Sequence, residues 1–276
     1  MRRPAYALNH MTVARMGFES FVALAHRLGC VGIECRNDIS DRLFDGLSPA
    51  LAGGKIRSAG LRLLVLAEVG QFDRLDPVRL EETIVLLDAA AEAGAEGVAL
   101  IPANDRAEQQ SSNEFDPSGL TAAIELIAPH LEERNLTGLI EPLGFQTCAV
   151  RYKKPVVDLL NQLGQSGRFK LVHDTFHHEV AGDEDFCVAE TGMVHISGVT
   201  DASLARNEMR DPHRELVDKQ DKLGNVEQIR RLLDEGYEGP ISFEAFSPAV
   251  YSLDNPFDKL AESIQWIDAA LLEEAA

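Results

Sequence analysis

The sequence predicts an α/β fold, a (β/α)8 TIM barrel, and three observations carry that expectation. Short β-rich runs alternate with longer amphipathic stretches eight times along the chain. Several of the runs are continuously apolar, as in Leu61–Leu66, the pattern of strands buried on both faces of a parallel sheet covered by helices. The length, 276 residues, is close to the roughly 250 that one such barrel occupies, so a single domain over residues 1–276 is expected.

Strands are expected near 5–10, 31–36, 61–68, 97–104, 137–144, 169–177, 193–199 and 239–246. Helices are expected near 17–29, 48–59, 76–93, 118–134, 153–165, 183–189, 225–236 and 256–272. Asp76-Pro77 and Asp116-Pro117-Ser118 suit helix starts, because Asp or Ser satisfies free amides and Pro is tolerated in a first turn. The competing architecture, an open doubly wound sheet, would carry a Gly-rich phosphate turn after its first strand. That turn reads Asn9-His10-Met11-Thr12. One stretch, about 200–223, stays irregular, and a connection of that length is usually functional or disordered.

Composition narrows the function classes. Hydrophobic residues make up 45%, yet no stretch approaches the roughly 20 apolar residues of a membrane span. The basic start Met1-Arg2-Arg3-Pro4 is followed by Asn9, His10 and Arg15, which interrupt any signal-peptide core, so a cytoplasmic protein is expected. A net charge of −19 repels phosphate backbones and anionic lipid, so neither nucleic acid nor membrane is an expected partner. Lys153-Lys154 and Arg230-Arg231 read as solvated helix faces. Cys30, Cys35, Cys148 and Cys187 lack paired zinc-ligand spacing and read as buried thiols.

In a barrel the active site is assembled at the carboxyl ends of the strands. Strand five runs into Glu141, strand six into Asp174, strand seven into His195 and strand eight into Glu244. An ionisable group in an apolar strand is costly unless paired or bound to a metal, and four on consecutive strands would converge on one point. Three carboxylates and an imidazole suit one divalent metal ion such as Mn²⁺, Co²⁺, Zn²⁺ or Mg²⁺, with positions left open for substrate. Around them, His177 follows Asp174 by three residues and could reach the substrate or the metal, with substrate contact the favoured reading. Glu34 and Arg36 point the same way on strand two and could pair or grip hydroxyls. His10, Asn9, Asn104 and Glu68 are weaker candidates, and Arg214 with His213 sits in the long loop, where it could close over a ligand.

Ile140-Glu141-Pro142, Asp174-Thr175-Phe176-His177, Val194-His195-Ile196 and Phe243-Glu244-Ala245-Phe246, in that order and spacing, resemble the xylose isomerase-like sugar isomerase/epimerase barrels over nearly the whole chain. Within that group, Leu8-Asn9-His10, Ile33-Glu34-Cys35-Arg36, Gln146-Thr147-Cys148-Ala149-Val150 and Phe246-Ser247-Pro248-Ala249-Val250-Tyr251 are similar to the inosose (2-keto-myo-inositol) isomerases of inositol catabolism. The resemblance implies that Glu141, Asp174, His195 and Glu244 are ligands of one divalent metal. The family also contains dehydratases and a DNA-repair endonuclease branch, whose extra histidine ligands are missing here. One departure is Pro212-His213-Arg214-Glu215-Leu216-Val217-Asp218, where inosose isomerases carry a Pro-Gly-rich segment.

The resulting expectation is a metal-dependent isomerase or epimerase of a keto-polyol or keto-sugar, working through an enediolate, with Glu141 and Glu244 exchanging the proton. A dehydratase of inosose or dehydroshikimate type begins with the same enolisation and is the alternative. A non-catalytic metal- and sugar-binding barrel is a third reading. A homo-oligomer is compatible with the fold.

Overall fold

The computed structural model describes residues 3–106 and 115–273. Eight strands, β1 (Ala5–Asn9), β2 (Gly32–Arg36), β3 (Arg62–Val69), β4 (Ala95–Leu100), β5 (Thr137–Ile140), β6 (Phe169–Asp174), β7 (Thr191–Ile196) and β8 (Pro240–Phe243), form a closed barrel in sequence order. All neighbours are parallel, and β8 pairs with β1 through Tyr6 opposite Ile241 and Leu8 opposite Phe243. The helices α1 (Phe18–Leu28), α2 (Pro49–Ser58), α3 (Pro77–Ala93), α4 (Ser118–Glu133), α5 (Lys153–Gln162), α6 (Thr175–Ala181), α7 (Asn225–Asp234), α8 (Pro248–Tyr251) and α9 (Pro256–Glu273) lie between or after the strands.

Alternation along each strand decides what lies inside. Ile33, Leu66, Val98, Ile140, Leu171, Val194 and Ile241 belong to the large cluster shared with the helices. Ala7, Ala99, Leu139, Val172 and Met193 form a separate inner cluster. Two residues beyond such inward positions stand Asn9, Asp174 and His195, so the interior changes from apolar to polar in one pleat. The sheet carries two more groups just past its regular strands: Glu141 N–H donates to Leu100 O (3.2 Å) and Glu244 N–H to Ile196 O (2.9 Å).

The expected elements recur with differences at the strand ends. Strands five and eight stop at Ile140 and Phe243, short of 144 and 246, and Pro142 has no N–H to continue a ladder. Strand six ends at Asp174 instead of 177. The Asp174 carboxylate accepts from His177 N–H (2.9 Å), which starts α6 immediately, and Gly182, in the left-handed region at φ +64°, ends it. Helix six therefore covers Thr175–Ala181, and the expected helix at 183–189 is absent apart from a 3-10 turn at Val188–Glu190. Helix α8, capped by Ser247, was not anticipated. The stretch 200–223 holds 3-10 turns at Arg206–Glu208 and Asp211–His213, and Glu215 bridges to Gly198.

Lys153 corrects a second expectation, because it is buried and not part of a solvated face. Its Nζ lies 2.8 Å from His178 Nδ1 and 3.0 Å from Asp183 Oδ2. Cys30, Cys35 and Cys148 are buried and Cys187 half-buried. No helix among the described residues is long and apolar enough to cross a membrane.

Outside the barrel, His173 on β6 bonds Gln228 Oε1 on α7 (2.9 Å) and packs 4.7 Å from the His178 ring. Burial holds His173 well below its ordinary pKa and pushes His178 down to about 3, with the Lys153 charge adding to both. The unfolded chain takes up these protons near the ordinary value of 6.5 while the fold refuses them. Stability is therefore full above about pH 6.5 and falls below it, by up to about 1.4 kcal/mol per pH unit for each proton. Thermal unfolding from pH 7 to pH 5 should show a falling midpoint, with a shallower fall in His178→Asn. Equal slopes for the two proteins would contradict this account.

Candidate metal centre

Glu141, Asp174, His195 and Glu244 each offer one ligand atom, and these atoms lie within 4.8 Å of one another. All four side chains are buried. His195 Nδ1 stands within ion-pair distance of Glu244 Oε2 (3.1 Å) and Glu141 Oε1 (3.6 Å), yet it has no hydrogen-bond partner among the described residues. Its Nε2 lies 3.0 Å from Glu34 Oε2. Burial would lower the His195 pKa, but the carboxylates of Glu244, Glu34 and Glu141 raise it well above its ordinary value.

The two glutamates differ in support. Glu244 Oε1 accepts from Asn9 Nδ2 (3.0 Å) and Arg36 Nη1 (3.1 Å), and Oε2 accepts from Arg214 Nη2 (2.9 Å). The peptides flanking it are clamped by Thr12, whose hydroxyl donates to Phe243 O (2.8 Å) and accepts from Ala245 N–H (3.0 Å). Burial works against ionisation of Glu244, but His195, Arg214 and Arg36 hold its pKa well below the usual carboxylate range. Glu141 faces His195 and no guanidinium bonds it among the described contacts. Burial, with the Glu244 charge second, pushes its pKa up.

Two arginines brace the centre. Arg36 joins Glu244 to Asp38, through Nε (2.8 Å) and Nη2 (2.7 Å), and to Glu68 (2.8 Å). Arg214, expected in a loop closing over ligand, is buried: Nη2 donates to both Asp174 and Glu244, Nε donates to Ser197 Oγ (3.1 Å), and the guanidinium lies 4.5 Å from the Phe246 ring.

His177 Nδ1 accepts from Gly144 N–H (3.2 Å), and burial pushes the ring's pKa down, so the neutral ring carries its proton on Nε2. Its edges are fixed by Phe145 and Phe176 at 5.1 and 5.2 Å. Two further candidates have partners of their own in the structure. Glu34, which could pair or grip hydroxyls, pairs through Oε2 with His195 Nε2, and its other oxygen, Oε1, is buried with no hydrogen-bond partner among the described residues. His10 stacks on Phe21 at 4.1 Å and donates from Nε2 to Met16 O (2.7 Å), so that nitrogen is occupied. Thr12 and Ser197 carry no sequence signal that separates them from ordinary strand-end hydroxyls; Asn9 and Glu68 ranked low because strand-end position alone gave them no partner.

A family model described as xylose isomerase-like TIM barrel matches residues 22–270. The chain belongs to the xylose isomerase-like TIM barrel family. Among solved structures it is similar to a xylose isomerase domain-containing protein from Salmonella typhimurium LT2, with 27% identity, 99% of each chain covered and a TM-score of 0.88. It also resembles an IolI protein with a bound zinc atom (16% identity, 98% of each chain, TM-score 0.78). The third similar structure is 3-keto-D-glucoside 4-epimerase from E. coli (14%, 97% of this chain and 100% of that one, TM-score 0.69). No curated protein matches the chain in sequence.

The residues of this xylose isomerase-like centre fit a divalent cation. Three carboxylates are packed around an imidazole nitrogen that is buried with no hydrogen-bond partner, the mixed oxygen and nitrogen set that such ions take.

Arg214 offsets part of the same negative charge from the side. Removing one partner of a buried ion pair typically costs about 3–5 kcal/mol, because the other charge is left uncompensated. Arg214→Met should lose about that much in urea denaturation carried out with a chelator present. A midpoint and slope equal to those of the wild type would contradict the bracing role.

Proposed function

We propose that the protein is a divalent-metal-dependent isomerase or epimerase of a keto-polyol or keto-sugar of the inosose class. The observation that carries this reading is the buried set Glu141, Asp174, His195 and Glu244, with unequal hydrogen-bond support for its two glutamates. The zinc bound in the IolI structure and the 3-keto-D-glucoside 4-epimerase from E. coli support it as chemistry compatible with the same barrel.

Moving a carbonyl along a polyol, or inverting a centre beside one, requires a proton to leave the carbon next to C=O. A divalent ion held by the four residues supplies Lewis acidity toward the carbonyl and neighbouring hydroxyl oxygens, which makes that carbon acid stronger. Glu141, with the fewest partners, is the group that takes the proton, converting the substrate into its enediolate. Glu244, kept ionised by His195, Arg214 and Arg36, is the base of the reverse direction, taking the proton back from the other side of the substrate, while Asn9, Arg36 and Arg214 keep its oxygens in place. His177 offers its Nε2–H to a substrate oxygen. Each positioned acid or base is worth about 10²–10⁴-fold in rate. The closed, arginine-braced centre also limits water near the carbanion.

The test is metal analysis of the purified protein, followed by a panel of keto-polyols in D₂O with and without chelator. About one equivalent of divalent metal is expected, with solvent deuterium entering a substrate carbon only while the metal is present. Glu141→Gln should reduce exchange by at least about 100-fold. Exchange that survives in both Glu141→Gln and Glu244→Gln would remove the two glutamates from the chemistry, and product NMR showing an unsaturated or deoxy compound would make the enzyme a dehydratase.

A further inference from the structure

We propose that Glu34 is a positioning residue of the metal centre, fixing the His195 ring from below so that Nδ1, and not Nε2, is presented to the cation. The inference rests on the proposed metal-dependent function and adds to it a residue that touches neither metal nor substrate.

The depth of Glu34 in the barrel is the first support. Side chains alternate along β2, so Gly32, Glu34 and Arg36 face inward in successive layers, and the strand runs toward the mouth of the barrel. Arg36, the outermost, reaches the ligand Glu244 and the rim carboxylates of Asp38 and Glu68. Glu34, one layer deeper, is 1% exposed, less than any of the four ligand residues. Gripping a substrate hydroxyl would need an oxygen facing open space. Oε2 is occupied by His195 Nε2 at 3.0 Å, and Oε1 is buried.

The chemistry of imidazole is the second support. A neutral ring has one N–H and one lone pair, and the hydrogen bond made by one nitrogen decides which role the other plays. Nδ1 points toward Glu141 and Glu244, at 3.6 and 3.1 Å, and when a cation displaces its proton the carboxylate of Glu34 keeps the remaining proton on Nε2, so the Nδ1 lone pair is the one left for the metal. A carboxylate behind a ligating histidine also raises its donor strength. Loss of such a partner commonly weakens metal binding by about 10–100-fold.

The experiment uses the full chain and Zn²⁺ as the probe. Affinity is measured by competition with a chromophoric chelator for the wild type, Glu34→Gln and Glu34→Leu, and the His195 ring nitrogens are followed by long-range ¹H–¹⁵N NMR. Gln and Leu fill similar space, but only Gln keeps an acceptor for Nε2–H. Glu34→Leu should bind Zn²⁺ about 10–100-fold more weakly, with the His195 ring losing its fixed Nε2–H tautomer. Glu34→Gln should recover part of the affinity and keep the tautomer. The proposal is overturned if both variants bind Zn²⁺ within about twofold of the wild type with unchanged ring signals, since a real partner of this kind is worth about tenfold or more. A wild-type chain that takes up no Zn²⁺ overturns the functional reading on which this inference stands, a result distinct from tight binding that is indifferent to Glu34.

Discussion

The organisation of this molecule depends on keeping three carboxylates and one imidazole together inside a closed ring of strands. Isolated charges in such a place would be expelled or neutralised, because the cost of taking them out of water exceeds what ordinary packing returns. The chain meets that cost with groups drawn from distant parts of the barrel. Arg36 comes from β2, Asn9 and Thr12 from the end of β1 and the turn after it, Arg214 from the loop after β7, and Glu34 from one layer down. The barrel core beneath is small and apolar, so polar partners are concentrated at the mouth.

That concentration is uneven, and the unevenness carries the functional reading. Glu244 is held by three donors and flanked by clamped peptides, which keeps it ionised and its oxygens in place. Glu141 has burial and the Glu244 charge against it and accepts no guanidinium hydrogen bond among the described residues, so its pKa is raised, as the proposed proton exchange requires. Two residues of the same type, three strand positions apart on the ring, are thus placed in different surroundings by their neighbours. The barrel itself is shared with isomerases, epimerases and other members of a broad family, so it is these side-chain environments that bear on the reaction.

Much of this was legible in the sequence because two simple periodicities apply. Strand alternation and the rule that barrel sites gather at the carboxyl ends point to Glu141, Asp174, His195 and Glu244 as one group, and the fold brings their ligand atoms together. What alternation could not supply is depth and partner. Glu34 and Arg36 share a face of β2, yet one pleat separates a residue that supports His195 from below from one that ties Glu244 to the rim. Arg214 lay in a segment with no periodicity, and only the bridge between Gly198 and Glu215 explains why it turns inward. The misplaced sixth helix has a similar origin: Asp174 can end a strand and cap a helix at once, and a pattern read for strand or helix separately extends the strand too far. The stacking of His10 on Phe21 is not legible locally, because Phe21 lies on the next helix.

The central claim is that the four side chains share a single cation. X-ray absorption at the zinc edge of the zinc-loaded protein tests it most directly. The account predicts a first shell of one nitrogen and at least three oxygens near 2.0–2.2 Å, lost together when Asp174 and His195 are both replaced by Ala. A shell containing sulfur, or the same shell persisting in that double variant, would place the ion elsewhere and contradict it.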